Sequence, residues 1–264
     1  MKHIALLSVS ALAASAALAQ PRLFAVDGTN LVELNPNTGA TITSMALTGG
    51  VSGSQGALAY DPGTDTLYMA STTNDNLWRI DYNTGAATVI GDFGVGSAVV
   101  MHGMEWANGR LYGHSSSAAG GGNFYEINPA TGVASVLGTT VPSGSFGSMG
   151  WDSVNSVMYF MDVASAGRML YTMSLTDGAL TLVGPNNSGG QAGVGMAFDP
   201  LFGMLAISNS GSDTLYSINL ATGNATAIGI TGTGNALSLA FVPTPGAASL
   251  LSLAGLAALR RNRR

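Results

Sequence analysis

The chain repeats one stretch five times. Residues 76–91, NLWRIDYNTGAATVIG, return as NLVELNPNTGATITSM (30–45), NFYEINPATGVASVLG (123–138), MLYTMSLTDGALTLVG (169–184) and TLYSINLATGNATAIG (214–229). Their turn glycines, Gly39, Gly85, Gly132, Gly178 and Gly223, are spaced 46, 47, 46 and 45 residues apart. A period in this range, built from strand-like units, marks a propeller or an array rather than an ordinary globular domain.

Each repeat reads as four short strands. In the second, GALAYD (56–61) alternates and ends in an aromatic, Pro62-Gly63 turns, and TLYMAS (66–71) follows. A polar loop then leads to LWRID (77–81), and the Thr84-Gly85 turn leads into AATVIG (86–91). Alternating apolar residues, enriched in β-branched and aromatic types and bounded by Gly, Pro and Asn, signal strands and hairpins. The recurrent Thr-Gly fits a turn whose last place needs positive φ, which glycine reaches cheaply. No stretch of the core reads as a helix.

The first-strand aromatics align as Tyr60, Trp106, Trp151, Phe198 and Phe241. The strand carrying Phe241 has no partners after it, and the N-terminal RLFAVDG, NLVELNP and ATITSMAL have no first strand before them. The economical solution is one composite blade, three strands from the N-terminus closed by one from the C-terminus. The expected fold is therefore all-β, a five-bladed β-propeller of four-stranded blades, whose closure removes exposed sheet edges. An open solenoid is the alternative and would need caps at both ends. In the propeller, the Asp-Pro and Thr-Gly turns share one face. The longer second-to-third loops and the links between blades share the other, where binding is expected.

Both ends read as addresses. Met1–Ala19 carries Lys2, an apolar run from Ile4 to Leu18 and a terminal Ala17-Leu18-Ala19, the pattern of an export signal cut by signal peptidase ahead of Gln20. The domains are then 1–19, a signal peptide; 20–242, the propeller; and 243–264, a tail. The tail has an apolar run from Gly246 to Leu259 ending in Arg260, Arg261, Arg263 and Arg264. That run is short of the roughly 18–20 residues that span a bilayer unaided, so any membrane contact is expected through the tail alone. Between Gln20 and Pro245, four arginines and no lysine stand against fourteen acids, a net charge of −10. This argues against nucleic acid or anionic lipid as partners. The absence of cysteine excludes disulfides, thiolate ligands and a cysteine nucleophile. No phosphate loop, nucleophile elbow, zinc helix or EF-hand loop is present.

Two sets of residues stand out as weak ligand-site candidates. Glu105 occupies an inner-strand place held elsewhere by Ala59, Gly150, Ala197 and Ala240, and a carboxylate there is costly unless wet or paired. With His102 and His114 it could form a divalent-metal site or an acid–base pair, the only cofactor suggestion the sequence makes. The bland alternative gives Glu105 to a wet central channel or to Arg110, and makes the histidines surface residues. The second set, Asp27, Ser71, Ser115, Asp162 and Asn209, falls at the ends of second strands as a ring able to hold sugar hydroxyls or calcium. The same residue types also satisfy backbone donors at strand ends. Asp61, Asp152 and Asp199 read as turn residues.

The tail resembles the PEP-CTERM sorting domain of exported bacterial proteins, also catalogued as an ice-binding protein C-terminal domain. Pro243 and Pro245 match the two prolines of its motif, Gly246–Leu259 the hydrophobic helix, and the four arginines the basic cluster; Thr244 stands where the family has Glu. The resemblance implies processing by a membrane-bound exosortase and a Gram-negative-type envelope or matrix destination. It implies nothing about the propeller's ligand. The sequence thus leads to an expected non-enzymatic adhesion or polysaccharide-binding module. The alternatives are a glycan hydrolase or lyase working at the channel mouth, and a purely structural surface repeat.

Overall fold

Alternation in each repeat makes strands, and the glycine-containing turns fold them into antiparallel four-stranded sheets. In the computed structural model, blade one contains β1 (Arg22–Asp27), β2 (Asn30–Leu34) and β3 (Thr41–Ala46). Blade two is β4 (Gln55–Asp61), β5 (Thr66–Ser71), β6 (Asn76–Ile80) and β7 (Ala87–Asp92). Blade three is β8 (Met101–Ala107), β9 (Arg110–Ser115), β10 (Asn123–Ile127) and β11 (Ala134–Thr139). Blade four is β12 (Gly147–Asp152), β13 (Val157–Asp162), β14 (Met169–Met173) and β15 (Leu180–Pro185). Blade five is β16 (Ala192–Asp199), β17 (Gly203–Ser208), β18 (Thr214–Ile218) and β19 (Ala225–Ile230), followed by β20 (Ala236–Val242). The structure describes residues 20–53, 55–72, 75–96, 100–115, 122–139, 147–162, 168–187, 192–208 and 213–244.

The sheet that closes the ring has the order β20-β1-β2-β3, with Leu23 opposite Phe241 and Phe24 opposite Ala240. This is the composite blade, and the fold is a five-bladed propeller. Its inner strands pack in sequence around a ring, β4 on β8, β8 on β12, β12 on β16, β16 on β20 and β20 on β4. The propeller, Pro21–Val242, is one compact unit; a second comprises Met1–Gln20 and Pro243–Arg264. Of that second unit only Gln20, Pro243 and Thr244 are among the described residues, so the export signal, Pro245 and the four tail arginines lie outside them. Among the described residues no helix is long and apolar enough to cross a membrane.

Burial follows radius. Second strands such as β5, β13 and β17 are buried at every position after the first, because both faces pack on neighbouring blades. Fourth strands are largely exposed, as in β3. Each fourth strand is an unpaired edge, and four of them share a bulge at the same place opposite the third strand, between Leu77 and Trp78, Phe124 and Tyr125, Leu170 and Tyr171, and Leu215 and Tyr216. A bulge there disrupts the regular ladder that another chain would extend.

The repeated turn glycine has two causes, of which the sequence shows only one. Gly39, Gly85, Gly132, Gly178 and Gly223 have φ of 75–83°, as the turn requires. They also lie against the preceding blade. A Cβ on Gly132 or Gly223 would stand 2.6 Å from the carbonyl oxygen of Gly91 or Gly184, and one on Gly39 equally close to Gly229. At these three seams a fourth-strand glycine faces a turn glycine, and the seam from blade five to blade one uses the same contact as two of the others. A further residue shapes the turn. Asn35, Asp81, Asn128, Ser174 and Asn219 each accept the amide two residues on through the side chain, so the repeating unit is an Asx- or Ser-initiated turn ending in glycine.

Candidate functional site

The centre of the ring is the natural place to look first. Three residues before the column aromatics, every inner strand carries a small side chain: Ala57, Gly103, Ser148, Gly195 and Ser238. The small residues let the strands crowd together, and a Cβ on Gly195 would sit 2.5 Å from Ser238 Cα. The next position is a collar of Leu58, Met104, Met149, Met196 and Leu239, each no more than 3% exposed. The space left among these two rings is about 10 Å³, room for about one water. The collar seals the axis to anything larger.

His102 lines this space from the loop side. His114, on the adjacent strand opposite Gly103, is 2% exposed and meets the Phe160 ring edge-on at 4.7 Å. Burial holds the His102 imidazole down to about 4. Burial, with a smaller contribution from His102, holds His114 down to about 3, so both rings are neutral at pH 7. Glu105 lies further along β8 towards the turn face, opposite Tyr112. Its two carboxylate oxygens accept the amides of Trp106 at 3.0 Å and of Trp151, on the next blade's inner strand, at 3.3 Å. Arg110 is engaged elsewhere, donating to Glu126 at 2.9 Å. Desolvation raises the Glu105 carboxyl to about 8 against the pull of the two amides. The histidines thus share one end of the blade and Glu105 the other. Among the described residues no group of three metal-ligating side chains forms.

The strand-end ring occupies matching register places; its members in blades two to five are buried, and those of blades one, three and five accept backbone amides. Asp27, Ser71, Ser115 and Asp162 pair with the first residues of inner strands, Ala236, Gln55, Met101 and Gly147. In blade five the residue in that register is Ser208, opposite Ala192. Asn209, the sequence-derived member, lies outside the described residues. Ser71, Ser115, Asp162 and Ser208 are at most 1% exposed. Ser115 Oγ accepts the amide of Asn123 at 3.1 Å and Ser208 Oγ that of Thr214 at 2.8 Å, each bonding the start of the third strand. Asp27 accepts the amides of Gly234 and Asn235, ahead of the closing strand. Asp61, Asp152 and Asp199 accept turn amides between first and second strands.

Comparison with known proteins is informative about family and fold. A family described as a repeat of unknown function, DUF6923, matches residues 24–167. The chain belongs to this family. No curated protein matches it. Among solved structures, a chain of a nidogen/laminin complex is 10% identical with a TM-score of 0.59, covering 84% of this chain and 98% of its own. TolB from Acinetobacter baumannii is 12% identical with a TM-score of 0.52, over 85% of this chain and 67% of its own. A protein of unknown function from Bacteroides thetaiotaomicron is 16% identical with a TM-score of 0.55, over 81% and 58%. At these identities the likeness is one of fold.

In this DUF6923 member the titrating groups of blade three predict opposing pH effects. The histidines have depressed values, so their contribution to stability is complete above about 6.5 and falls as pH drops towards 4. Glu105 has a raised value, so its contribution is complete below about 4.5 and falls as pH rises through 8. Replacing Glu105 by Gln is expected to remove the alkaline loss and leave the acid loss in place. Thermal melts of both proteins from pH 4 to 9 check this; parallel curves above pH 6 would show that Glu105 does not titrate there.

Proposed function

We propose that this chain is an exported, non-catalytic β-propeller that binds polysaccharide at the cell surface or in the extracellular matrix. The observation that carries this reading is the sealed axis. With a leucine–methionine collar leaving about 10 Å³, the ring centre has no room for a substrate, and recognition falls to the outer faces. The sole inner-strand carboxylate of blade three has both oxygens bonded to backbone amides, an arrangement that suits joining blades more than proton transfer to a sugar. The surface is rich in Gly, Ser, Thr and Asn and poor in cations, which suits hydroxyl-bearing ligands over phosphate backbones. The reading includes delivery by an export signal and sorting by an exosortase-type enzyme through the PEP-CTERM-like tail.

The test is retention of the purified chain on immobilised neutral and acidic polysaccharides, with reducing ends assayed alongside. Retention without cleavage is the expected result. Release of reducing ends that disappears in Glu105→Gln would instead establish the glycan-hydrolase alternative.

A further inference from the structure

A groove of about 470 Å³ lies on the turn face of blade three, opposite to where loop length directs attention. That volume falls within the range of small-molecule sites, about 300–1,000 Å³. It opens beside the start of β9 and the third-to-fourth turn, lined by Arg110, Glu126, Asn128, Pro129, Val133 and Ser135. Register places its polar side chains on one face of the sheet. Glu126 lies opposite Tyr112 on β9 and opposite Ser135 on β11. Arg110 stands two residues before Tyr112, and Asn128 two after Glu126. Side chains two apart along a strand share a face. The bond from Arg110 Nη1 to Glu126 Oε2, at 2.9 Å, agrees with that placement.

Much of the bonding capacity in this groove is unspent. Among the described residues that bond is the one Arg110 makes, so its Nε and Nη2 edge is open. Among the same residues Glu126 Oε1 and the Ser135 hydroxyl have no partner, and Asn128 uses only Oδ1, on the amide of Ala130. Blade one shows the same pair completed. Arg22 and Glu33 hold the corresponding places, and there Nε and Nη2 grip both carboxylate oxygens, at 3.1 and 2.8 Å. Nη1 donates to Asn83 Oδ1 at 2.9 Å, and the guanidinium lies over the Phe24 and Tyr82 rings. Tyr82 and Asn83 belong to the turn of the next blade. Blade four has Leu175 and Thr176 in those places, and among the described residues neither bonds Arg110. The groove is open where its blade-one counterpart is closed by the protein itself.

We propose that the blade-three turn-face groove is a binding subsite for a neutral sugar unit, with adjacent ring hydroxyls bridging Arg110 and Glu126. A hydroxyl both donates and accepts, whereas a guanidinium only donates and a carboxylate only accepts. Two neighbouring hydroxyls thus satisfy the two groups together, and bonds to charged partners are the stronger ones. Asn128 and Ser135 supply partners for further hydroxyls, and Pro129 with exposed Val133 gives the C–H face of the ring an apolar contact. The charges of Arg110 and Glu126 cancel, and the net charge of −10 over Gln20–Pro245 selects against uronic or sulfated sugars. This inference rests on the polysaccharide-binding reading and adds the face, the residues and the class of sugar.

Calorimetric titration of the full chain with neutral β-linked glucose and galactose tetramers, and with an acidic uronic-acid tetramer, tests it. The wild-type chain is expected to bind a neutral tetramer. Affinity should fall by about tenfold or more in Arg110→Ala and in Glu126→Ala. The pair is exposed and such pairs contribute little to stability, so both variants keep the fold. Ser135→Ala should lose severalfold. Arg79→Ala removes an exposed cation outside the groove and should bind as wild type. Neutral binding unchanged in Arg110→Ala and Glu126→Ala, or lost equally in Arg79→Ala, would overturn the groove while leaving polysaccharide binding standing. Binding of the acidic tetramer alone would overturn the sugar class. Binding of none would remove the parent reading and the groove together.

Discussion

Gly223→Ala is expected to lower the unfolding midpoint by roughly 6–12 °C, corresponding to about 3 kcal/mol at about 2–4 °C per kcal/mol. Two costs add at this site. The left-handed backbone, at φ +83°, disfavours any side chain, by about 1–2 kcal/mol. The new methyl would also lie 2.6 Å from the Gly184 carbonyl oxygen, on the blade before it, and relieving such overpacking costs about 1–3 kcal/mol. Gly109→Ala separates the two effects. Gly109 has φ +77° with nothing within 4 Å of the added carbon, so it should show the backbone cost alone. Differential scanning calorimetry of the two variants decides the matter: equal losses would mean that the seam yields freely and the glycine is there for the turn alone.

Asp213→Ala is the second large effect. The residue is fully buried, and its Oδ2 accepts the Thr233 hydroxyl at 2.8 Å and the Ala236 amide at 2.7 Å. Ala236 is the first residue of β20, so this carboxylate holds the entry to the closing strand. Removing it leaves a buried amide without its acceptor and weakens the Thr231–Thr233 hydroxyl pair beside it. The expected loss is about 2–4 kcal/mol. Hydrogen exchange should quicken first in β20 and β1, ahead of the other blades. Asp27→Ala, whose bonds to Gly234 and Asn235 are exposed, should cost about 1 kcal/mol. Uniform acceleration across all five blades in Asp213→Ala would show that closure is no weaker than the rest of the ring.

The architecture was legible because period, strand alternation and the column of aromatics all point to the same answer. Even the composite blade follows from counting strands. What could not be read was whatever depends on a neighbouring blade. The fourth-strand glycines of VIG, VLG, LVG and AIG look like ordinary strand ends until the next turn is seen against them. The Leu–Met collar reads as core packing, and only the ring turns it into a seal. Glu105 stands out in the sequence as an oddity, yet its second partner, the Trp151 amide, is 46 residues away on another strand. Counting along the repeats puts the blade-five member of the strand-end ring at Asn209, one residue past its register place, because the first-to-second turn of that blade is one residue shorter. Ser208 fills that place.

The composite blade also governs when the molecule is finished. Arg22 pairs with Val242, roughly 220 residues along the chain, so the ring cannot shut until nearly all of the propeller has been made. Contacts this distant in sequence place the fold among slow folders, since much conformational freedom is surrendered before the last pairing rewards it. Until then β1 lacks the strand it pairs with and β16 the inner strand it packs against. A chain carried through a membrane unfolded would thus assemble only on the far side, and a protein truncated before Ala236 would retain four complete sheets and a three-stranded blade lacking its inner strand.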